Sequence, residues 1–192
     1  MRLLLLAAIL VATASTIPAA AVHAQAAPPP PAVMPVIVTN PRAATADVES
    51  VDAIITALYD VISGGVGQAR NWNRMRSLFV PGGKLMPTVL RPDSTFGMRI
   101  LGVNDYIAVS GPQLERAGFR EREIARRMEQ FGHIAHAWST YEGRTETDSM
   151  VIRGINSIQL MNDGTRWWVV SVFWEAERPS NPLPARYLRN EQ

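Results

Sequence analysis

Three long runs in the second half of the chain, Ile134–Glu142, Val151–Met161 and Arg166–Glu175, are dense in aromatic and β-branched residues. Side chains of this kind suit a pleated, half-buried surface, so each run reads as a strand. Asn162-Asp163-Gly164-Thr165, between the last two, has the composition of a hairpin loop. The three therefore form an antiparallel ladder. Helical patterns and shorter strands come before them, and that order describes an α+β fold.

The clearest helical pattern is Val51, Ile54, Ile55, Leu58 and Ile62, which recur on one stripe of a 3.6-residue period. Asp47 stands where a cap is expected, and Gly64-Gly65 ends the run. Asn71 can cap a second, short helix in which Trp72, Met75, Leu78 and Phe79 share a face, stopped by Pro81-Gly82-Gly83. Lys84–Leu90 and Thr95–Leu101 read as strands around the turn Arg91-Pro92-Asp93-Ser94. Gly102–Ser110 reads as a third helix, interrupted at Gly111-Pro112. The segment Phe119–Phe131 fits two templates. Ile124, Met128 and Phe131 suit a helix with a charged face, while Phe119, Glu121, Glu123 and Ala125 alternate as on one side of a strand.

At 192 residues the chain holds one ordinary domain with tails. Met1-Arg2, the apolar stretch Leu3–Val11 and the small residues of Ala19–Ala26 have the layout of a secretory signal, so residues 1–26 are expected to be removed from an exported, periplasmic or secreted protein. The same stretch is nearly long enough for a membrane anchor, but Thr13, Ser15, Thr16 and Pro18 weaken that alternative, and no stable membrane insertion is expected after cleavage. Residues 27–46 hold the unbroken run Pro28–Pro31 and read as a flexible linker. Residues 47–177 read as the folded domain and 178–192 as an irregular tail. With no cysteine, disulfides and thiol catalysis are ruled out. A net charge of only +2 makes nucleic acid a poor partner.

The first helix (VESVDAIITALYDVIS), the helix-to-strand passage (NWNRMRSLFVPGGKLMP) and the closing hairpin (RGINSIQLMNDGTRWWVVSVFWEAE) resemble the nuclear transport factor 2-like superfamily. Its members include ketosteroid isomerase, scytalone dehydratase and SnoaL-like polyketide cyclases. The resemblance covers about Asp47 to Glu177 and is closest to small exported members of unestablished role. It implies a cone: a strongly bent, antiparallel or mixed sheet wrapped around the long first helix, with a pocket on the concave side. It also implies that Phe119–Phe131 is a strand, with Gly132 at a turn. Related members dimerise through the outer sheet face, where Trp138 or Trp167 would mark the contact.

Ketosteroid-isomerase-like chemistry needs a carboxylate base and a tyrosine with an acid to stabilise an enolate. The stretch where the resemblance places that base, Leu85-Met86-Pro87-Thr88, has no carboxylate. Tyr59 offers a phenol on the first helix, Asp105 with Tyr106 offers an acid and a phenol, and His136 offers an imidazole base. Each also has a plain structural reading: packing for Tyr59, and a polar outer face for His136. His133 and His136 point to opposite faces of a strand, so no metal site and no cofactor are expected. Scytalone-dehydratase-like chemistry would draw on His136, Asp105, Tyr106 and Tyr141. The expected pocket lining is Trp72, Tyr106, Tyr141, Trp174 and Asn156, with Ser157 and Gln159 as neighbours of uncertain parity. The mixed charges Arg120 to Glu129 read as a solvated face, with Arg126 or Arg153 as the alternative anion holders at the pocket mouth. Together these readings point to a small hydrophobic ligand bound without a defined catalytic centre. The alternatives are a cofactor-independent lyase or isomerase acting on a hydrophobic carbonyl compound and a structural homodimer module.

Overall fold

The computed structural model describes residues 40–189, so the segment read as a signal and most of the proline-rich stretch lie outside it. A 3₁₀ turn at Thr45–Asp47 leads into helix α1, Val51–Ile62. The cap of α1 is Ser50, whose hydroxyl accepts the Ala53 N–H at 3.0 Å, rather than Asp47. Asp47 lies one turn earlier, and its carboxylate accepts from Arg74 Nε at 2.8 Å and Nη2 at 2.9 Å. Val51, Ile54, Ile55 and Leu58 are all buried. Burying each contributes about 1.5–3 kcal/mol, enough to fix which face of α1 meets the sheet.

Helix α2, Trp72–Leu78, is capped by Asn71, whose side chain accepts the Arg74 N–H at 3.0 Å. Strand β1 follows at once, Phe79–Leu90. It begins at Phe79 rather than at Lys84 because Phe79, fully buried, already pairs with Val169. The glycine-rich stretch that was expected to break the chain is absorbed as a register shift between Phe79 and Lys84. The expected strand Thr95–Leu101 is two short ones, β2 (Phe96–Met98) and β3 (Leu101–Gly102), both antiparallel to β1.

Helix α3 runs Val103–Ala117, through Gly111-Pro112, where an end at Ser110 was expected. A Cβ at position 111 would lie 3.0 Å from Cζ2 of Trp72, so the glycine lets α2 pack closely on α3. The helix thus continues across a proline that removes one N–H.

Four long strands follow: β4 (Phe119–Phe131), β5 (Ile134–Thr145), β6 (Val151–Asn162) and β7 (Trp167–Ala176). The sheet order is β2-β1-β7-β6-β5-β4, with β3 also on β1; the β1–β7 pair is parallel and the rest antiparallel. This is a mixed α+β sheet curved around α1. The segment Phe119–Phe131, which periodicity would have made a helix, is a strand because β5 supplies a backbone partner along its whole length.

One irregularity in β4 matters for the site. Glu123 pairs with Tyr141 but Ala125 pairs with Thr140, which leaves Ile124 as an extra residue. Such a bulge reverses the side-chain parity beyond it. Glu121, Glu123 and Arg126 therefore all face α1, while Ala125 turns to the outer face, against the simple alternation the sequence suggested.

The loop after α1 is closed by Arg70, which is 7% exposed. Its guanidinium donates to the backbone carbonyls of Ile62 at 3.1 Å, Gly64 at 2.9 Å and Leu114 at 3.1 Å, and also reaches Gly65, Gln68 and Phe119. On the opposite side of the sheet the C-terminal segment crosses β5. Thr140 Oγ1 donates to the Tyr187 carbonyl at 2.6 Å, and Trp138 stacks on Tyr187 with ring centroids 5.8 Å apart. Trp167, expected as an exposed marker of a dimer face, is instead 7% exposed and packed in the core, because the pleat turns it inward and Trp168 outward.

Candidate functional site

Between α1, α3 and the concave face of the sheet lies a cavity of about 480 Å³. That is within the usual range for sites that enclose a small organic molecule. Its walls are mainly apolar: Leu58, Ile62, Met75, Leu85, Leu114, Ile152 and Val172. Polar groups enter at Ser110 and Gln113 of α3, at Thr145 at the end of β5, and at five further positions. Tyr59 comes from α1, Tyr106 from α3, Glu121 from β4, Tyr141 from β5 and Asn156 from β6. Trp174 closes one side, edge-on to Tyr106 at 6.3 Å and 82°. Tyr141 pairs with Gly154, and a Cβ there would lie 2.5 Å from the Tyr141 hydroxyl, so the glycine makes room for that ring.

Among the described residues Glu121 is the only acid in this lining. Burial pushes its carboxyl from an ordinary 4.5 up to about 7, and the one opposing influence is a hydrogen bond from Asn156. That bond is long, 3.5 Å from Asn156 Nδ2 to Glu121 Oε1. A carboxyl with so little support holds its proton near neutrality, so it can both take up and release one at physiological pH. Glu121 also borders a polar cleft of about 500 Å³ between α1 and β4, shared with Tyr59, Ser63 and Glu123. The carboxyl thus stands in the wall between an apolar chamber and a wet one.

Tyr59, Tyr106 and Tyr141 all have their phenol pKa raised, first by burial, and for Tyr106 and Tyr141 next by the charge of Glu121. They remain neutral hydrogen-bond donors. The Tyr59 hydroxyl lies 2.6 Å from Ser139 Oγ and accepts from Asn156 Nδ2 at 3.0 Å. Ser139 Oγ donates to Glu123 Oε1 at 2.5 Å, and Arg126 holds Glu123 through Nε at 2.9 Å and Nη2 at 2.7 Å. The hydroxyls of Tyr106 and Tyr141 have no protein partner among the described residues, and both border the cavity.

Of the residues singled out in the sequence, Tyr59, Tyr106, Tyr141, Asn156 and Trp174 come together in this cavity. Trp72 does not line it and packs on Gly111 of α3. Asp105 is outside it too, its carboxylate accepting the Gly102 N–H at 2.9 Å at the start of α3. His136 is on the outer face of the sheet, with Nε2 2.9 Å from Ser157 Oγ and its ring 5.3 Å from that of Trp138. Asn156 and Ser157 are divided by the pleat as their adjacency requires, Asn156 facing inward. Arg126 is engaged by Glu123 and Asp52, and Arg153 by Glu177 at 2.8 Å. Among the described residues no three His, Asp or Glu side chains are placed to hold a metal ion. Glu121 was missed because it sits in a run of alternating charges that reads as solvated. Its placement two residues from Phe119 and Glu123 on a strand was the only available signal.

No family model matches the chain, and no curated protein does either. Solved structures do. The crystal structure of LinA aligns over 71% of this chain and 89% of its own, with a TM-score of 0.52 at 10% identity. An uncharacterised protein with a cystatin-like fold from Caulobacter vibrioides aligns over 69% of this chain and 90% of its own, with a TM-score of 0.50 at 11% identity. At such identities the likeness is one of fold. Helix α1 against a curved mixed sheet, with α3 closing a cavity on the concave side, is a cystatin-like α+β arrangement, and this chain has that fold.

Proposed function

We propose that the chain binds a small hydrophobic carbonyl compound in the cavity and moves a proton on it without a cofactor, in the manner of an isomerase or lyase. The observation that carries this reading is Glu121, an isolated carboxyl titrating near neutrality at the edge of an apolar chamber. As a carboxylate it removes a proton from the carbon beside the carbonyl. The electron pair moves onto the carbonyl oxygen, and Tyr106 or Tyr141 donates a hydrogen bond to the resulting enolate. Glu121, now protonated, returns the proton at another carbon, or the enolate re-forms the carbonyl as the bond from the next carbon to a leaving group breaks and that group departs with the Glu121 proton. The apolar walls keep bulk water from competing for the proton.

The test needs no knowledge of the product. A panel of hydrophobic cyclic and open-chain ketones is incubated with the protein in D2O, and deuterium entry at the carbon beside the carbonyl is followed by NMR. Exchange faster than buffer, rising with pH through about 7 and reduced about 10²–10⁴-fold by Glu121→Gln, is expected. Ketones that bind equally to both proteins and exchange at the buffer rate would leave a binder, not an enzyme.

Export belongs to the same proposal, supported by the leader-like pattern of residues 1–26. Mass spectrometry of the protein from a secreting host should find a new N-terminus near Ala26. So does a homodimer: Phe131 and Ile134, 84% and 60% exposed beside the β4–β5 turn, give it an apolar contact. Light scattering that finds only monomer at all concentrations removes it.

A further inference from the structure

The hydrogen bonds beside Glu121 have a direction, and it is set at the end remote from the cavity. Ser139 is fully buried, and its one hydroxyl proton goes to the Glu123 carboxylate. A carboxylate only accepts, and a serine hydroxyl has a single proton to give. In the 2.6 Å contact between Tyr59 and Ser139, Tyr59 is therefore the donor. With its proton committed there, the Tyr59 oxygen faces Asn156 as an acceptor. Asn156 must then present Nδ2, at 3.0 Å, and this orientation brings the same nitrogen to 3.5 Å from Glu121.

We propose that Ser139 and Glu123 are positioning residues for the site: they lock the Tyr59 hydroxyl as an acceptor on its cavity side, so that Asn156 turns its N–H groups toward Glu121 and Tyr59 gives a proton to neither Glu121 nor a ligand. This rests on Glu121 being the working carboxyl. It assigns Tyr59 against the oxyanion role its residue type suggests and leaves a ligand oxygen to Tyr106 and Tyr141, whose hydroxyls are uncommitted. In this arrangement Tyr59 gives Glu121 no proton, and the long Asn156 contact is the one side-chain donor to that carboxyl among the described residues. The ionisable groups around Glu121 are Tyr59 and Asp60 from α1, Tyr106 from α3, Tyr141 from β5, and Arg120, Arg122 and Glu123 on its own strand. The linings contributed by α2 and β7, Met75, Val172, Trp174 and Ala176, are uncharged.

The experiment is an NMR titration of the Glu121 carboxyl carbon in the ligand-free protein and in Tyr59→Phe, Ser139→Ala and the double variant. Tyr59→Phe should leave the midpoint within about 0.3 pH unit, because Tyr59 gives Glu121 no proton and an Asn156 amide released from Tyr59 still has the carboxylate as an acceptor for its N–H groups. Ser139→Ala should free the Tyr59 proton to turn toward Glu121 and lower the midpoint by about one unit, a shift of the size one new donor produces. The double variant should return to the starting value. A midpoint that rises by about a unit in Tyr59→Phe overturns the proposal, as does an effect of Ser139→Ala that is absent or the same with and without the Tyr59 hydroxyl. Tyr59→Phe keeps the ring and decides the matter alone if Ser139→Ala does not fold. No substrate enters these measurements. Inactivity toward ketones would sink the enzymatic reading and leave this one standing, and the reverse result would do the opposite.

Discussion

Two ionisable side chains lie close to the start of β4, Arg70 buried and Glu121 half-buried, and their surroundings are opposite. Arg70 is met by backbone carbonyls from the end of α1, the following loop, the last turn of α3 and the first residue of β4. Two of those carbonyls, of Ile62 and Leu114, belong to helix C-termini, where a cation is also favoured by the aligned peptide dipoles. Glu121 has one long amide contact. Burial lowers the Arg70 pKa, but arginine keeps its charge at any ordinary pH, so the fold must supply partners and does. A glutamate can instead be neutral, and this one is left to adjust its proton. The difference separates structure from chemistry: a satisfied buried charge ties segments together, and an unsatisfied one is available to react.

The largest effect should come from deleting the satisfied charge. Arg70→Met takes a donor away from carbonyls of four segments, while those of Leu114, Gly65 and Phe119 keep a backbone N–H, and should cost about 3–5 kcal/mol in denaturant unfolding, with loss of order around residues 63–70. A cost below about 1 kcal/mol would mean that water replaces the guanidinium and that the contrast with Glu121 is false.

Next comes the unsatisfied charge, where the sign is reversed. The folded-state pKa of Glu121 lies above its ordinary value, so the folded protein holds this proton more tightly than the unfolded chain does. The associated stability is fully present below pH 4.5 and is lost as pH rises through about 7. At about 1.4 kcal/mol per unit, the loss approaches about 3 kcal/mol. Glu121→Gln should abolish this component, so the variant should be the more stable protein at pH 8 while failing in proton exchange. Parallel stability curves for the two proteins from pH 4 to 8 would show that Glu121 titrates normally.

The smallest effect should come from the acid and the imidazole that lie outside the cavity. Asp105→Ala should cost about 1 kcal/mol or less through the lost contact at the start of α3. His136→Ala should alter ketone exchange less than about twofold. A large loss of exchange in either would move the site away from Glu121.

Much of the architecture could be read in advance from local pattern. The α1 stripe, the Asn71 cap, the hairpin loop at Asn162–Thr165 and the three closing strands each depend on residues within one or two turns of each other, and periodicity reports such relations directly. So did the choice of Tyr106, Tyr141, Asn156 and Trp174, whose polar or aromatic character stands out on otherwise apolar elements. Pro112 misled because α3 continues through it in a setting, with Trp72 packed on Gly111, that comes from another helix and leaves no local mark.

Glu121 and Arg70 were illegible for a common reason. In the sequence, Glu121 is one charge in Arg120–Glu123, and which side of β4 faces α1 depends on register with β5 and on the bulge at Ile124. Arg70 is one arginine in a polar loop, and its partners come from positions as far away as Phe119. By themselves the residues determined the first two helices and the three closing strands, because burial patterns are local, while the curved sheet and its hollow were only implied by the resemblance. Only the tertiary structure decided which charge entered that hollow, because the face a strand presents and the partners a buried ion finds are set by segments distant in the chain.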